Sequence, residues 1–220
     1  MFPLPLNIWF EIVSFIVSIL CLTSIRDKPL RWFIPFLFLI VVVELTGRYL
    51  RTEMHLVNSW LYNIFIPVEY LFYTYIFYSH FKELFLKVTA KALLIIIPIA
   101  SLLNIILIQG FYNFNTNIII AGNCIMIFLS CAYFIDLFKR EEEITLLNEP
   151  MFWISIGILL FNVGELSYTL FFDYILKNRQ DAKSIVFTTI NSKLIYVLYT
   201  CISIGLLCTK TQLTKTYRRK

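Results

Sequence analysis

Leu61–Ser79 reads LYNIFIPVEYLFYTYIFYS, an apolar run that carries a single carboxylate, Glu69, near its middle. A helix of about twenty such residues is long enough to cross the hydrocarbon core of a bilayer. An ionisable side chain at that depth is costly unless a partner, a proton or a water-filled cavity compensates its charge. We therefore expect a transmembrane helix here, and polar side chains on other helices that face Glu69.

The composition of the chain indicates the same environment. Of its 220 residues, 59% are hydrophobic and 15% are charged, whereas soluble domains carry about 25% charged residues. This excess of apolar surface excludes an ordinary soluble fold. The net charge of +5 does not indicate nucleic acid, because the basic residues lie in short runs beside apolar segments. The five cysteines lack metal-binding spacing, so no metal and no cofactor is expected.

Apolar segments of similar length follow one another along the chain, and no soluble domain fits between them. Each has roughly the twenty residues that a spanning helix needs. The sequence therefore predicts an all-α polytopic membrane protein, a bundle of seven transmembrane helices. We place them at Leu6–Thr23, Trp32–Leu50, Leu61–Ser79, Ala92–Gln109, Asn117–Phe138, Phe152–Phe172 and Ile185–Cys208.

Lysine and arginine are distributed unevenly between the links on the two sides of this bundle. Most of the 19 lie in the first, third and fifth links and in the C-terminal tail. Positive charge is retained in the cytoplasm, so we expect the N-terminus outside and the C-terminus inside, in the inner membrane. Residues 1–209 would form the transmembrane domain and residues 210–220 a basic cytoplasmic tail. No positive region precedes the first segment, which is therefore expected to stay as an anchor.

With this orientation, the costly polar side chains gather toward the outer leaflet. Glu44 and Arg48 have the i, i+4 spacing of an internal ion pair, and Glu69 is the deepest carboxylate. Lipid cannot satisfy such groups, so we expect them to face the bundle interior and line an outward-facing pocket. The candidate pocket residues are Glu44, Arg48, Glu69, Tyr73, Asn162, Glu165, Lys193 and Tyr196.

The same polar residues have a plainer interpretation, in which they pair with one another and hold helices together without a ligand. Asn104 and Asn123 are expected to form hydrogen bonds between helices. Glu11 is expected to reach the outer surface. These interpretations and the pocket remain open on the sequence alone.

Two motifs carry a resemblance to known proteins. Asn148–Gly157, NEPMFWISIG, with Asn162 and Glu165 beyond it, and Tyr62–Tyr70, YNIFIPVEY, resemble a group of short bacterial seven-span proteins without an assigned activity. The architecture is also similar to the seven-helix membrane sensor modules of bacterial histidine kinases. Because this chain has no kinase, the resemblance implies a separate signalling partner.

The function expected from these features is an integral membrane sensor or accessory signalling protein that takes a small ligand or lipid headgroup. Besides membrane lipids, a cytoplasmic partner would bind the Lys139–Pro150 loop or the C-terminal tail. The alternatives are a transporter or channel for a small solute or ion, an intramembrane lipid-modifying enzyme and a membrane-disrupting effector. No hydrolase, nucleotide-binding or zinc motif is present, which favours a protein that is not an enzyme.

Overall fold

The computed structural model describes residues 4–140, 145–177 and 185–218, with side chains described at 4–140, 145–170 and 189–210. Over these ranges the chain is all-helical, with 84% helix and no strands. The predicted all-α class is therefore confirmed. Glu141, Glu142, Glu143 and Ile144 of the expected partner-binding loop lie outside the described residues.

The described chain forms eight α-helices joined by short links, a π-helical turn and a 3₁₀ turn. The π-helical turn, Ile105–Gln109, extends the fifth helix and ends at Gly110, whose φ of 80° suits glycine. The 3₁₀ turn, Leu146–Asn148, precedes the seventh helix. The α-helices are α1 Leu6–Leu20, α2 Lys28–Arg31, α3 Phe33–Thr52, α4 Ser59–His80, α5 Leu84–Asn104, α6 Thr116–Phe138, α7 Pro150–Lys177 and α8 Ile185–Arg218.

Each of the seven predicted segments falls within, or largely within, one long helix. Five stretches of the described chain are long and apolar enough to cross a membrane. The other two segments differ in kind, since α1 has only 15 residues and α4, with 22 residues, is enriched in tyrosine and carries Glu69. The five apolar stretches are Lys28–Thr52, Leu84–Gln109, Thr116–Phe138, Pro150–Leu170 and Thr189–Lys210.

Several helix boundaries differ from the prediction because residues assigned to links continue the helices. α5 begins at Leu84 rather than Ala92, so Lys87 and Lys91, which we placed in a link, lie on a helix. α7 begins at Pro150 rather than Phe152, since proline is favoured in the first turn, where its missing N–H leaves no bond unmade. At the other end of the chain, α8 continues to Arg218.

The chain divides into two compact units, which we call the terminal unit and the middle unit. The terminal unit comprises Met1–Leu37 and Glu141–Lys220, within the described residues. In it, α8 packs against both α7 and α1. The α7–α8 contact is close because Gly157 and Gly205 remove side-chain bulk where the helices meet.

The middle unit, Phe38–Arg140, is organised by α4, α5 and α6. α4 packs against both of the other helices, and short links make α5 the return pass between them. Two hydrogen bonds set the register of α4 and α6. Tyr70 bonds to Asn123, and the Glu83 backbone N–H bonds to Asp136, and both pairs are 53 residues apart. The two helices therefore run parallel at a constant offset.

Candidate functional site

Glu44 on α3 meets α4 through the hydroxyl of Tyr62, which donates a hydrogen bond to Glu44 Oε2 at 3.3 Å. Gly47, one turn later on α3, makes room for that ring, because a Cβ there would lie 2.7 Å from the tyrosine oxygen. Asn58 Nδ2 donates to the Gly47 carbonyl at 3.1 Å. Arg48 is half-buried beside them and makes a contact of its own. Glu44 and Arg48 thus lie one turn apart on α3, and the contact shown for Glu44 is the one to Tyr62. The ion pair expected from their i, i+4 spacing stays a prediction.

Glu69 lies at the centre of α4 and shares a helix face with Tyr62 and Tyr73, at seven and four residues' separation. Its carboxylate interacts electrostatically with the Tyr73 hydroxyl, and the tyrosine side chain is only 2% exposed. From Tyr62 to Glu69 the helix rises by roughly 10 Å. A column of polar groups therefore runs down this face of α4 from its N-terminal end to its middle. We call Tyr62, Glu69 and Tyr73, with Glu44 and Arg48, the α4 column.

The remaining four candidates belong to the terminal unit. Asn162 is 3% exposed; its Nδ2 donates to the Ile158 carbonyl within α7 at 2.6 Å. Glu165 is half-buried and has an interaction partner. Lys193 is exposed, and its ammonium lies 5.5 Å from the centre of the Tyr196 ring, a cation–π distance. Asn162 and Glu165 therefore lie near each other on α7, and Lys193 and Tyr196 lie near each other on α8.

Glu11 does not reach the surface, so that expectation is wrong. It is 2% exposed and has an interaction partner, and Ser14 and Ser18 on the same side of α1 are fully buried. The adjacent Phe10 stacks on Tyr196 of α8 with ring centres 4.6 Å apart. The misjudgement arose because depth was read from the sequence position near the end of a segment. Packing of the helix face decides burial instead.

Asn104 and Asn123 both bond between helices, as predicted. Asn117 Nδ2 on α6 donates to Asn104 Oδ1 on α5 at 3.2 Å, and Tyr70 on α4 donates to Asn123 Oδ1 at 2.9 Å. The Tyr70 ring lies directly against Gly122, where a Cβ would overlap it. A small residue and a hydrogen bond thus combine at one contact, a pattern typical of helix pairs in membranes.

Asn63, which the sequence analysis did not single out, holds the link between α5 and α6. Its Nδ2 donates to the carbonyls of Phe111 and Asn113 at 2.8 and 2.6 Å, and its Oδ1 accepts from the Asn115 N–H at 3.1 Å. One side chain thereby satisfies three backbone groups of a loop. Asparagine near the start of an apolar helix was the only sequence signal, and its loop partners could not be predicted from spacing.

Asp136 and Arg140 form a second polar cluster that sequence reasoning missed. Arg140 Nη2 bonds to Asp136 Oδ2 at 2.8 Å and to the His80 carbonyl at 2.9 Å. Asp136 also accepts the backbone N–H groups of Lys82 and Glu83 at 3.1 and 2.9 Å. These five residues, which we call the α4–α5 clasp, tie the end of α4 and the start of α5 to α6. The available signal was the i, i+4 spacing, the same one that drew attention to Glu44 and Arg48.

The described residues contain no group of three His, Cys, Asp or Glu side chains that would hold a metal ion. The cysteines are free thiols; Cys21 and Cys201 are buried, and Cys124 and Cys131 are exposed on α6. The polar groups can hydrogen-bond, pair charges and hold water, which is the chemistry of recognition and helix association.

No protein family, curated protein or solved structure matches this chain. The resemblance to short seven-span bacterial proteins and to kinase sensor modules therefore stays a prediction.

Proposed function

We propose that the protein is a seven-span sensor or accessory signalling protein of the inner membrane, with its N-terminus outside and its C-terminus in the cytoplasm. Its ligand is a small molecule or lipid headgroup bound by the α4 column. Glu44 and Arg48 contact the ligand first, and Glu69 forms the floor of the site. The carboxylates bind a cationic or hydrogen-bond-donating group, and Arg48 orients an anionic one.

The observation that carries the proposal is the alignment of Glu44, Tyr62, Glu69 and Tyr73 at one side of α4. Two carboxylates along one side of α4, each beside a tyrosine hydroxyl, would not stabilise a helix that served only as a membrane anchor. Ionisable groups at membrane depth are typical of ligand or ion sites. α4 is also less apolar than the five candidate spans, which suits a helix surrounded by protein and water rather than lipid.

The topology is supported by length and charge. Five helices suffice in length and apolarity to cross a membrane. α4, with 22 residues, is long enough to be the sixth span, and the shorter apolar helix α1, with 15 residues, is the proposed seventh. An odd number of spans places the ends on opposite sides, as the lysine and arginine distribution requires. A C-terminal reporter that is active only in the cytoplasm is expected to be active, whereas activity of a periplasm-dependent reporter would contradict this orientation.

The site is tested with Glu69→Cys and a membrane-impermeant anionic thiol reagent added from outside the cell. We expect rapid labelling, because a water-filled approach lets the thiol ionise and the reagent reach it. Cys124 and Cys131 on α6 are exposed in the structure, so they serve as internal controls. They should stay unlabelled if lipid covers them. Failure to label Glu69→Cys would contradict the proposed ligand site at the α4 column.

Reconstitution distinguishes sensing from transport. We expect proteoliposomes that contain the protein to show no proton or sodium flux above empty vesicles, and Glu69→Gln to leave that baseline unchanged. Flux that Glu69→Gln abolishes would overturn the sensor function and favour a transporter.

For signalling, the Lys139–Pro150 loop and the C-terminal tail are the proposed surfaces that bind the cytoplasmic partner. In the described part of the loop, Trp153 Nε1 bonds to the Leu147 carbonyl at 3.0 Å and fixes the turn before α7.

A further inference from the structure

One face of α4 and one face of α6 meet along their length. On α4, Tyr70, Thr74 and Phe77 follow one another at helical spacing on a single face. Tyr70 bonds to Asn123, and the Phe77 ring lies 6.2 Å from that of Tyr133, both on α6. Thr74 lies between two residues that contact α6, so its side chain also points to α6.

Ser130 occupies the matching position on α6. It is seven residues after Asn123, which places it on the same face. Because residues 53 apart lie level on these parallel helices, Ser130 lies level with Phe77. It is therefore about 4.5 Å beyond Thr74 along the common axis, and Thr74 is about 6 Å beyond Tyr70. Between the Tyr70–Asn123 contact and the Phe77–Tyr133 contact, both helices thus present small hydroxyl side chains.

Three polar atoms in this layer have no hydrogen-bond partner among the described residues: Asn123 Nδ2, Thr74 Oγ1 and Ser130 Oγ. All three residues are 0% exposed. Two other serine hydroxyls in the unit are bonded, since Ser79 and Ser101 each donate to the carbonyl four residues earlier, at 2.8 Å. Buried polar atoms in native proteins are nearly always paired with protein or with ordered water.

We propose that Asn123, Thr74 and Ser130 bind internal water between α4 and α6. Water suits this layer because it accepts from the amide and both accepts from and donates to the hydroxyls. The axial step of about 4.5 Å between Thr74 and Ser130 lies within the reach of one bridging water, whose two hydrogen bonds of about 2.8 Å each span at most about 5.6 Å. The step of about 6 Å between Asn123 and Thr74 leaves room for a second water. Polar lining and two small side chains are the conditions under which a buried site is hydrated. The site is separate from the α4 column, which uses a different face of α4.

Met126 is a native probe for this water. It is 0% exposed and lies between Asn123 and Ser130 on the same face of α6. Radiolysis of water produces hydroxyl radicals where the water is, so a buried methionine beside bound water is oxidised and one in a dry core is not. We expect millisecond X-ray irradiation of the whole protein in micelles to convert Met126 to the sulfoxide. Met54, which is 51% exposed, reports the radical dose.

The double substitution Thr74→Val and Ser130→Ala tests whether water bound by these hydroxyls causes the oxidation of Met126. It removes both hydroxyls with little change of shape. We expect it to lose the Met126 sulfoxide while oxidation of Met54 is unchanged. Ser101→Ala is the matched control, because it also deletes a buried hydroxyl but one that is bonded to its own helix. It should leave Met126 oxidised.

Two results would overturn the internal water site. The first is a wild-type protein in which Met126 stays unmodified at doses that oxidise Met54. The second is equal oxidation of Met126 in the wild type and the double variant. If the double variant fails to fold, Thr74→Val and Ser130→Ala are measured singly, and the wild-type result still stands alone as a test. None of these outcomes depends on the proposed sensor function.

Discussion

The α7–α8 pair and the α4–α6 pair are held together in different ways. Apolar side chains gain little from moving between lipid and protein, so helices in a membrane associate through close packing and polar contacts. α7 and α8 rely on closeness, with Gly157 against Leu198 and Gly205 against the Pro150 carbonyl. The other pair also packs closely at Gly122 but adds hydrogen bonds, of which Tyr70 to Asn123 is the central one.

The difference teaches where each pair is vulnerable. A glycine contact fails when bulk is added, whereas a hydrogen-bonded contact fails when a polar partner is removed. The α4–α6 pair carries a further vulnerability in the α4–α5 clasp, where the Asp136 and Arg140 side chains are 5% and 11% exposed. Variants of each kind therefore test the comparison directly.

The largest effect is expected for Asp136→Ala. The substitution leaves the Arg140 guanidinium and the Lys82 and Glu83 N–H groups without their shared acceptor. Removing one partner of a buried ion pair costs about 3 kcal/mol or more in the free energy of unfolding. Unfolding in mixed micelles with increasing SDS measures it. A stability within error of the wild type would show that the clasp does not hold α4 and α5 to α6.

Gly205→Ala is expected to have the next largest effect. It should lower the free energy of unfolding by about 2 kcal/mol, as is typical of overpacking. Its Cβ would lie 2.7 Å from the Pro150 carbonyl, which is backbone and cannot turn aside. Gly164→Ala is the matched control on the same helix pair, since the nearest atoms to its Cβ would be those of the Leu194 side chain, which can shift. The same unfolding assay should rank the two. A greater loss in Gly164→Ala would contradict packing by rigid backbone contact.

Tyr70→Phe is expected to cost about 1 kcal/mol, the usual net value of one hydrogen bond. The ring still fills the space above Gly122, so packing is preserved. The substitution removes the hydroxyl that donates to Asn123 Oδ1 at 2.9 Å and also lies 3.2 Å from the Ile119 carbonyl. Hydrogen exchange of α4 and α6 should report the loss locally. Unchanged protection and stability would mean that the α4–α6 pair is held by packing, as α7–α8 is, and the comparison would fail.

Lys139→Gln should have the smallest effect, lowering the free energy of unfolding by less than about 0.5 kcal/mol. Lys139 pairs with Glu83 at 3.4 Å, but the two side chains are 64% and 41% exposed. It is the matched control for Asp136→Ala, because it breaks an ion pair at the same end of α6 in an exposed setting. An effect as large as that of Asp136→Ala would show that exposure does not separate the two pairs.

Much of the fold could be predicted because hydrophobic length is a local property. The stretch around Glu69 was expected to be helical, and α4 spans it from Ser59 to His80. The start of α5 was misplaced because Lys87 and Lys91 were taken to belong to a link. A lysine near a membrane boundary extends its ammonium toward water while its backbone stays helical. Composition therefore predicts that a helix is present but not where its first and last turns lie.

The polar contacts were predicted only where both partners lay on one helix or where a residue type had few alternatives. Asn104 and Asn123 were expected to bond between helices, since a buried amide in a bundle must find a partner. Which partner it finds depends on register, and register comes from contacts such as Tyr70 on Gly122. The bonds of Asn63 to a loop far along the sequence had no local signal at all.

By itself the sequence determined the class of this protein, its helical segments and the identity of its costly side chains, because hydrophobicity and charge act on each residue wherever the chain places it. Only the tertiary structure decided that Glu44 bonds to Tyr62, that Asp136 holds the α4–α5 link and that Thr74 and Ser130 occupy one layer between two helices. Such contacts join residues far apart in sequence. They follow from helix register and facing, which no single segment encodes.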